Sequence, residues 1–276
     1  MSRILVTDLD GTLLGGSPDQ RRRLRDALLR HPEVTPVFAT GRGLASVREV
    51  LGDPLVPRPR WIIADVGATV VDGADLTPVA ALQERLRAGW PGADRVRAAL
   101  DRFPGLAYQH DVVQDGRCSY HLAPRHLTGG LTGAVEALGC AWVYSGGRYF
   151  DVLPPRASKG NALRALAGRL AWRPEQLLVA GDSLNDLSLY RLGAHAVVVG
   201  GAEPALLTDL AGDPRVLRPD LPGAAAIHAA LEALGWLPAD REPTAPAAPA
   251  APGTSGAPVL NAGPGPCGSR AGSAGR

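Results

Sequence analysis

The sequence predicts an α/β fold, in which a mainly parallel sheet forms the core and a smaller α+β domain is inserted into that core. Short apolar runs alternate with helical segments towards both ends of the chain, and the runs are continuous, as expected for strands covered on both faces. In the middle of the chain, helices and antiparallel strands replace this alternation. We therefore expect the core in residues 1–82 and 156–237, the inserted domain in residues 83–155, and a tail in residues 238–276.

The first predicted strand organises the rest of the chain. Its apolar residues 4–6 lead into Asp8 and Asp10, and Gly11 and Thr12 follow as a turn signal. Carboxylates at the carboxyl end of a buried parallel strand lie where open α/β sheets place their ligands. The position favours a ligand site over a loop with solvated acids.

The remaining elements of the first part alternate between helix and strand. The pattern predicts a helix over residues 18–31, a strand over 34–39, a helix to about 51, and a strand over 61–66 that leads into a hairpin. Thr40, Gly41 and Arg42 fall between the second strand and the second helix. A hydroxyl and free backbone N–H groups at such a turn form an anion site.

The inserted segment has helices, strands and turn signals of its own. We expect a helix over residues 93–103, strands at 107–109 and 117–122, a helix over 130–138, and strands at 141–144 and 149–153. Such a mixture inside a parallel α/β chain indicates a separate α+β domain rather than a continuation of the main sheet.

The α/β pattern resumes at Lys159. The elements predicted from here are a helix over 159–170, a strand over 176–180, a helix to 192, a strand over 196–199 and a last helix over 222–234. Asp182, Asn185 and Asp186 follow the strand over 176–180. From residue 238 onward the chain is mostly Ala, Pro and Gly, and we expect a disordered tail because such a segment has little apolar surface to bury.

The composition restricts the class of partner. Charged residues make up 20% of the chain and the formal net charge is +2, which gives no electrostatic reason to expect a nucleic-acid or membrane partner. Asp8 and Asp10 interrupt any apolar segment at the N-terminus, and no apolar run approaches the ~18 residues of a membrane span. We expect a soluble, cytoplasmic monomer that acts on a small molecule.

Lysine use is unusual in this chain. Of the 29 Lys and Arg residues, 28 are arginine, and Lys159 is the single lysine. Arginine is a wide planar fork, whereas lysine is a compact charge on a slim stem. Lys159 is therefore a candidate for a single-point contact in a confined space.

Polar groups follow several predicted strands and begin one predicted helix, and neighbouring parallel strands end on one edge of a sheet. The candidates are Asp8, Asp10, Thr40, Lys159, Asp182, Asn185 and Asp186. Clustered carboxylates repel one another unless a cation joins them, and a site of oxygen ligands suits Mg²⁺. A carboxylate can also attack phosphorus and form an aspartyl-phosphate. These residues indicate metal-assisted phosphoryl transfer.

The same residues resemble the four ordered motifs of haloacid-dehalogenase-like phosphatases, which have a Rossmann-like core. The motifs read Asp8-x-Asp10-Gly-Thr-Leu, Thr40-Gly-Arg, Lys159, and Gly181-Asp182-x-x-Asn185-Asp186. The inserted segment resembles the type IIB cap of that superfamily. Within the type IIB group, the stretches of the whole chain that are similar to sucrose-phosphatases are residues 61–67, 118–122, 144–147, 151–154 and 158–162. Leu184 departs from that pattern, because sucrose-phosphatases more often have glycine there.

The resemblance implies a role for each matching residue. Asp8 would be the nucleophile, and Asp10 would first protonate the leaving sugar oxygen and then activate the hydrolytic water. Mg²⁺ would be held by Asp8, the Asp10 carbonyl and Asp182, with Asp186 nearby. The catalytic set would be Asp8, Asp10, Thr40 and Lys159. The substrate-binding set would be Thr40, Gly41, Arg42, Lys159 and Asn185 in the core, with Tyr120, Tyr144 and Ser145 in the cap.

The cap residues leave the substrate open. Tyr120, Tyr144 and Ser145 could hydrogen-bond sugar hydroxyls, although the two tyrosines could equally fill the core of the cap. With the resemblance, they favour a disaccharide phosphate, and sucrose 6-phosphate is the first expectation. The alternatives are the phosphates of mannosylfructose, glucosylglycerol or mannosylglycerate, a sugar phosphomutase, and, least favoured, a non-enzymatic binding module.

Overall fold

The structure, a computed structural model, describes residues 2–114 and 116–239. Residues 240–276, which form nearly all of the predicted tail, lie outside the described residues. The strands are β1 Arg3–Thr7, β2 Val34–Ala39, β3 Trp61–Ala64, β4 Thr69–Asp72, β5 Ala107–Tyr108, β6 Cys118–His121, β7 Ala141–Ser145, β8 Tyr149–Leu153, β9 Leu177–Gly181, β10 His195–Val198 and β11 Val216–Leu217.

The helices are α1 Pro18–Arg30, α2 Leu44–Val50, α3 Ala80–Arg87, α4 Ala93–Leu100, α5 Gly129–Ala137, α6 Lys159–Leu170, α7 Leu187–Tyr190, α8 Pro204–Asp209 and α9 Gly223–Ala233. All of them except α4 and α5 pack on the two faces of the main sheet. One apolar cluster joins the sheet to α1, α2 and α9, and another joins it to α3, α6, α7 and α8. Within the described residues no helix is long and apolar enough to cross a bilayer.

The main sheet has seven strands in the order β11-β10-β9-β1-β2-β3-β4. Every neighbouring pair is parallel except β3 and β4, which form an antiparallel hairpin. All residues of β9 are buried, and so are all of β1 except Arg3, which explains their continuous apolar sequences. This arrangement confirms the predicted α/β core and puts β1, with its two aspartates, at the centre of the sheet.

A second sheet confirms the inserted α+β domain. Its four strands are antiparallel in the order β5-β6-β8-β7, and α4 and α5 contribute to the apolar core beside it. We call this domain the cap. The predicted boundary between residues 82 and 83 falls inside α3, where Leu82 and Leu86 pack into the core of the main sheet. The exact limits of the domains remain a prediction.

The antiparallel pair of β3 and β4 is the hairpin that the sequence predicts after the third strand. Three short elements were not expected from the sequence: α3, α8 and β11, which contain between two and eight residues. In addition, the helix expected over residues 93–103 ends at Leu100. Elements of one or two turns contain too few residues for a hydrophobic period to be recognised. None of these differences alters the edge of the sheet where the candidate residues lie.

Candidate active site

Three central strands carry polar residues to one edge of the main sheet. Asp8 follows β1, Thr40 follows β2, and Asp182 follows β9. The backbone N–H of Asp8 donates to the carbonyl of Ala180, so the ends of β1 and β9 remain joined at this point. Lys159 is the first residue of α6, whose N-cap hydroxyl on Ser158 accepts from the Asn161 N–H. The topology thus brings residues far apart in sequence to one place.

Lys159 lies at the centre of this group. Its Nζ donates to Asp8 Oδ1 at 2.7 Å and to Asp186 Oδ1 at 2.6 Å, and its side chain is 0% exposed. Burial on its own lowers the pKa of Lys159, but the carboxylates of Asp186 and Asp8 outweigh burial and raise it above the ordinary value. Lys159 is therefore an ammonium ion held between two buried carboxylates. This is the single-point contact in a confined space that we expected for the single lysine of the chain.

Asp186 fixes the turn that follows β9. Its second oxygen, Oδ2, accepts from the backbone N–H groups of Asp182 and Ser183, both at 3.1 Å. A Cβ on Gly181 would lie 2.5 Å from Asp186 Cγ, so only glycine allows the carboxylate this close to the strand. The side chain consequently orients Lys159 with one oxygen and the Asp182 turn with the other.

Three acids form a cluster that fits a divalent cation. Asp8, Asp182 and Asp186 each have a carboxylate oxygen within 4.8 Å of the others. Burial raises the pKa of Asp8 well above its ordinary value, against the opposing charge of Lys159, and burial together with Asp186 raises the pKa of Asp182 to about 7. The positive charge of one lysine therefore does not neutralise the negative charge of the three carboxylates. Buried carboxylate oxygens with this excess of negative charge are suited to Mg²⁺.

Asp10 is paired with Arg42, a contact that the sequence did not predict. Arg42 Nε donates to Asp10 Oδ2 at 2.8 Å and Arg42 Nη2 donates to Asp10 Oδ1 at 2.6 Å. Binding of a substrate by Arg42 remains a prediction. Gly11, with a φ of +71°, turns the chain beside Asp10, and a Cβ there would lie 2.1 Å from Asp182 Oδ2.

The turn after β2 lies next to the turn after β9. Thr40 is fully buried, and its Oγ1 accepts from the Arg42 backbone N–H at 3.1 Å, which leaves the hydroxyl proton free to be donated. A Cβ on Gly41 would lie 3.8 Å from Asn185 Nδ2, so the Asn185 amide lies beside this turn. Asn185 Oδ1 is buried and has no hydrogen-bond partner among the described residues.

The cap residues of the predicted binding set are placed differently from one another. Tyr120 is only 4% exposed and packs edge-on against Tyr108 inside the cap core, so the structure does not bring it to the cluster. The Tyr144 hydroxyl donates to the carbonyl of Leu122 at 2.9 Å. Ser145 is buried at the end of β7. Binding of a sugar by these residues remains a prediction.

Sequence reasoning missed Glu203, which connects the cap to the cluster. Its carboxylate Oε1 accepts from the Gly146 N–H in the turn between β7 and β8, at 2.6 Å. The backbone N–H of Glu203 donates to the carbonyl of Asp182 at 2.8 Å. The tip of one cap hairpin is thereby joined to the loop that carries Asp182. No motif contains Glu203, so no local signal could have identified it.

A parallel sheet with an inserted cap, and an aspartate cluster around one buried lysine at the carboxyl edge, are the features of the haloacid-dehalogenase-like fold. A family model for sucrose-6F-phosphate phosphohydrolase matches residues 1–236, and the chain belongs to this family. It is therefore a member of the sucrose-phosphatase family within the haloacid-dehalogenase superfamily.

Individual relatives differ in how much of their length the chain covers. It is 44% identical over 205 residues to glucosylglycerol-phosphate synthase of Pseudomonas anguilliseptica, a match that covers 74% of this chain but only 27% of that protein. It is 32% identical over 215 residues to mannosylfructose-phosphate phosphatase of Agrobacterium fabrum, covering 75% of this chain and 86% of that protein.

A solved structure shows the same architecture. The sucrose-phosphatase of Synechocystis, determined in complex with sucrose and phosphate, is 31% identical to this chain and superimposes with a TM-score of 0.76. The match covers 85% of this chain and 99% of the Synechocystis chain. The similarity therefore includes the cap as well as the core.

Proposed function

We propose that the chain hydrolyses the phosphate monoester of a small glycoside through an aspartyl-phosphate on Asp8. The observation that carries this proposal is the contact of the fully buried Lys159 with both Asp8 and Asp186. A buried ammonium beside a carboxylate at the edge of a parallel sheet can hold a phosphate next to that carboxylate. The same geometry has little use in a protein that only binds sugars.

The first half-reaction transfers the phosphoryl group to the enzyme. A carboxylate oxygen of Asp8 attacks phosphorus, the bond from phosphorus to the sugar oxygen breaks, and that oxygen takes a proton from Asp10. Arg42 occupies both oxygens of Asp10 in this structure, so the pair must open for the proton to move. The product of this step is the free glycoside.

The second half-reaction releases inorganic phosphate. Asp10, now ionised, removes a proton from a water molecule, whose oxygen attacks phosphorus as the bond to the Asp8 oxygen breaks. This restores the Asp8 carboxylate and the protonated Asp10. A phosphomutase would instead return the phosphate to a sugar hydroxyl, so release of phosphate distinguishes the two activities.

Several groups would hold the phosphate oxygens while charge moves between them. Lys159 and the Thr40 hydroxyl supply a positive charge and a donor, and the backbone N–H of Gly41 and the Asn185 amide lie at the same edge. Asp8, the Asp10 carbonyl and Asp182 would hold Mg²⁺, with Asp186 beside them. When bound, the ion would neutralise the acids and polarise the phosphate.

Two substrates head the candidates. The 44% identity is to an enzyme named for making glucosylglycerol phosphate, and a phosphatase region joined to such an enzyme would have that compound as its substrate. Glucosylglycerol phosphate is therefore our first candidate. Sucrose 6-phosphate, the first expectation from the sequence, is the second, and the family match and the Synechocystis structure support it. We also propose that the protein acts as a monomer in the cytoplasm.

The test is a comparison of kcat/KM for phosphate release under one Mg²⁺ concentration. The compounds are glucosylglycerol phosphate, sucrose 6-phosphate, mannosylfructose phosphate and glucose 6-phosphate. We expect at least one of the two candidates to exceed glucose 6-phosphate by about a hundredfold, because a second unit reaching the cap adds binding energy that orients the phosphate. Equal values for all four compounds would reject the glycoside assignment.

A further inference from the structure

A buried array of charges joins the cap to the core. Arg117 donates from Nε to Asp65 Oδ1 at 3.1 Å and from Nη1 to Asp151 Oδ1 at 2.9 Å. Arg117 is 5% exposed, Asp65 is 2% exposed and Asp151 is 6% exposed. Asp65 follows β3 of the main sheet, whereas Arg117 precedes β6 and Asp151 lies in β8 of the cap. One guanidinium therefore bridges carboxylates from both domains.

Neighbouring hydroxyl groups add further hydrogen bonds to the array. Thr69 Oγ1 donates to Asp65 Oδ2 at 2.7 Å, and the Ser119 hydroxyl contacts Asp151 Oδ1. Arg87 donates from Nη2 to the Thr69 hydroxyl at 2.7 Å, and it is the other cation near Asp65. Buried ion pairs contribute little net stability compared with apolar residues of the same size, because their desolvation is costly. Such an array therefore fixes a particular geometry more than it stabilises the fold.

Asp65 begins a turn that contacts the catalytic edge. Its backbone N–H donates to the Arg42 carbonyl at 2.9 Å, and the Val66 N–H donates to the Thr40 carbonyl at 3.1 Å. A Cβ on Gly67 would lie 2.2 Å from the Ser158 carbonyl oxygen, so the turn also packs against the residue before Lys159. It is thus in contact with two of the segments that would hold the phosphate.

The backbone of this turn is in a costly conformation. Asp65 and Val66 have φ values of 51° and 54°, in the left-handed region that β-branched residues rarely adopt. Such a conformation persists only where the surrounding contacts determine it. Here the contacts are the two backbone hydrogen bonds to the turn after β2 and the ion pair with Arg117.

From these contacts we infer that Arg117 is a positioning residue, which fixes the cap in register over the phosphate-binding edge by bridging Asp65 and Asp151. The inference rests on the proposed function, since it assigns the cap to the glycosyl part of the substrate. The two hydrogen bonds between this turn and the turn after β2 join backbone groups only, so we expect them to remain when Arg117 is replaced. Loss of Arg117 should therefore displace the cap and leave the phosphoryl chemistry of the core intact.

The test replaces the whole array, because removal of Arg117 alone would leave two unpaired buried carboxylates. The variant Asp65→Asn/Arg117→Gln/Asp151→Asn keeps shape and hydrogen-bonding groups without charge. Asp213→Asn/Arg215→Gln, which removes an exposed ion pair far from the cap in sequence, is the matched control. Arg117→Lys is a second variant. It keeps the positive charge of the array, so the two carboxylates still have a cation beside them, but an ammonium group offers one point of contact instead of a planar fork.

Two substrates distinguish an effect on the position of the cap from an effect on phosphoryl transfer in the core. For the glycosyl phosphate that the parent prefers, we expect kcat/KM of the triple variant to fall by about tenfold or more, with an intermediate loss for Arg117→Lys. For p-nitrophenyl phosphate, which is too small to need the cap, we expect both variants to stay within about threefold of the parent. Parent-like values on both substrates, or equal losses on both, would overturn the positioning role.

A measurement without substrate distinguishes failure of the positioning role from failure of the proposed function. The Gly146 N–H, which bonds to Glu203 across the domains, reports whether the cap stays on the core. We expect this amide to exchange with solvent about fivefold faster in the triple variant and in Arg117→Lys than in the control. Unchanged exchange in both variants would reject the positioning role, even if the parent hydrolysed none of the glycosyl phosphates.

Discussion

Arg42 binds both carboxylate oxygens of Asp10, through Nε at 2.8 Å and through Nη2 at 2.6 Å. Its third nitrogen, Nη1, donates to the Ser46 hydroxyl on α2 at 2.7 Å, which holds the guanidinium in place. The Asp10 side chain is nonetheless 58% exposed, so the pair is open to solvent. Under the proposed mechanism, the pair orients the Asp10 carboxylate before the substrate binds and must open when it does.

Removing this pair should slow the reaction without abolishing it. In Arg42→Gln, Asp10 keeps its carboxylate but loses its orientation, and we expect kcat for the glycosyl phosphate to fall by about ten- to a hundredfold. Asp10→Asn should lose more, because the proton donor itself is gone. Arg48→Gln, an exposed change on the neighbouring helix α2, is the control. A kcat for Arg42→Gln equal to that of the parent would show that the pair does not orient Asp10.

Replacement of the nucleophile should abolish turnover. Asp8→Asn keeps the shape of the side chain and can still accept from Lys159, but it lacks the negative oxygen that attacks phosphorus. We expect phosphate release to fall by about a thousandfold or more, with circular dichroism and melting temperature close to those of the parent. In the parent, acid quenching during turnover should trap one phosphoryl group on the peptide that contains Asp8. Substantial turnover by a folded Asp8→Asn protein would reject the assignment.

The single lysine should not tolerate arginine. Lys159 Nζ lies 2.7 Å from one carboxylate oxygen and 2.6 Å from another, and its side chain has no exposed surface. A guanidinium is larger, and overpacking of a filled interior costs about 1–3 kcal/mol. We expect Lys159→Arg to melt several degrees lower and to lose most of its turnover, whereas the reverse change at the exposed Arg169 of the same helix should do neither. Parent-like activity in Lys159→Arg would contradict the confined contact.

The sequence was sufficient to predict the acid cluster, because each signal is local. Asp8 and Asp182 directly follow apolar runs, and parallel strands end together at one edge of a sheet. Lys159 differs from every other cation of the chain, and the structure places it in contact with Asp8 and Asp186. The catalytic roles of these residues remain predictions, but their proximity is a property of the fold.

Contacts between distant side chains could not be predicted in the same way. Arg117 is 52 residues from Asp65 and 34 from Asp151, and no spacing rule connects them. Tyr120 is a different case, since it shares one face of β6 with the apolar Cys118. That alternation indicates the interior of the cap, where the structure places Tyr120.

Magnesium should affect the stability of the protein as well as its activity. Asp8, Asp182 and Asp186 place their oxygens within 4.8 Å of one another, and a cation that binds this cluster only in the folded state raises the melting temperature. We expect EDTA to abolish phosphate release, excess Mg²⁺ to restore it, and Mg²⁺ alone to raise the melting temperature of the parent. Asp182→Asn should lose both responses, whereas Asp209→Asn, an exposed change on α8, should keep them. Full turnover after exhaustive chelation, or the same melting shift in Asp182→Asn as in the parent, would show that the cluster does not hold the ion.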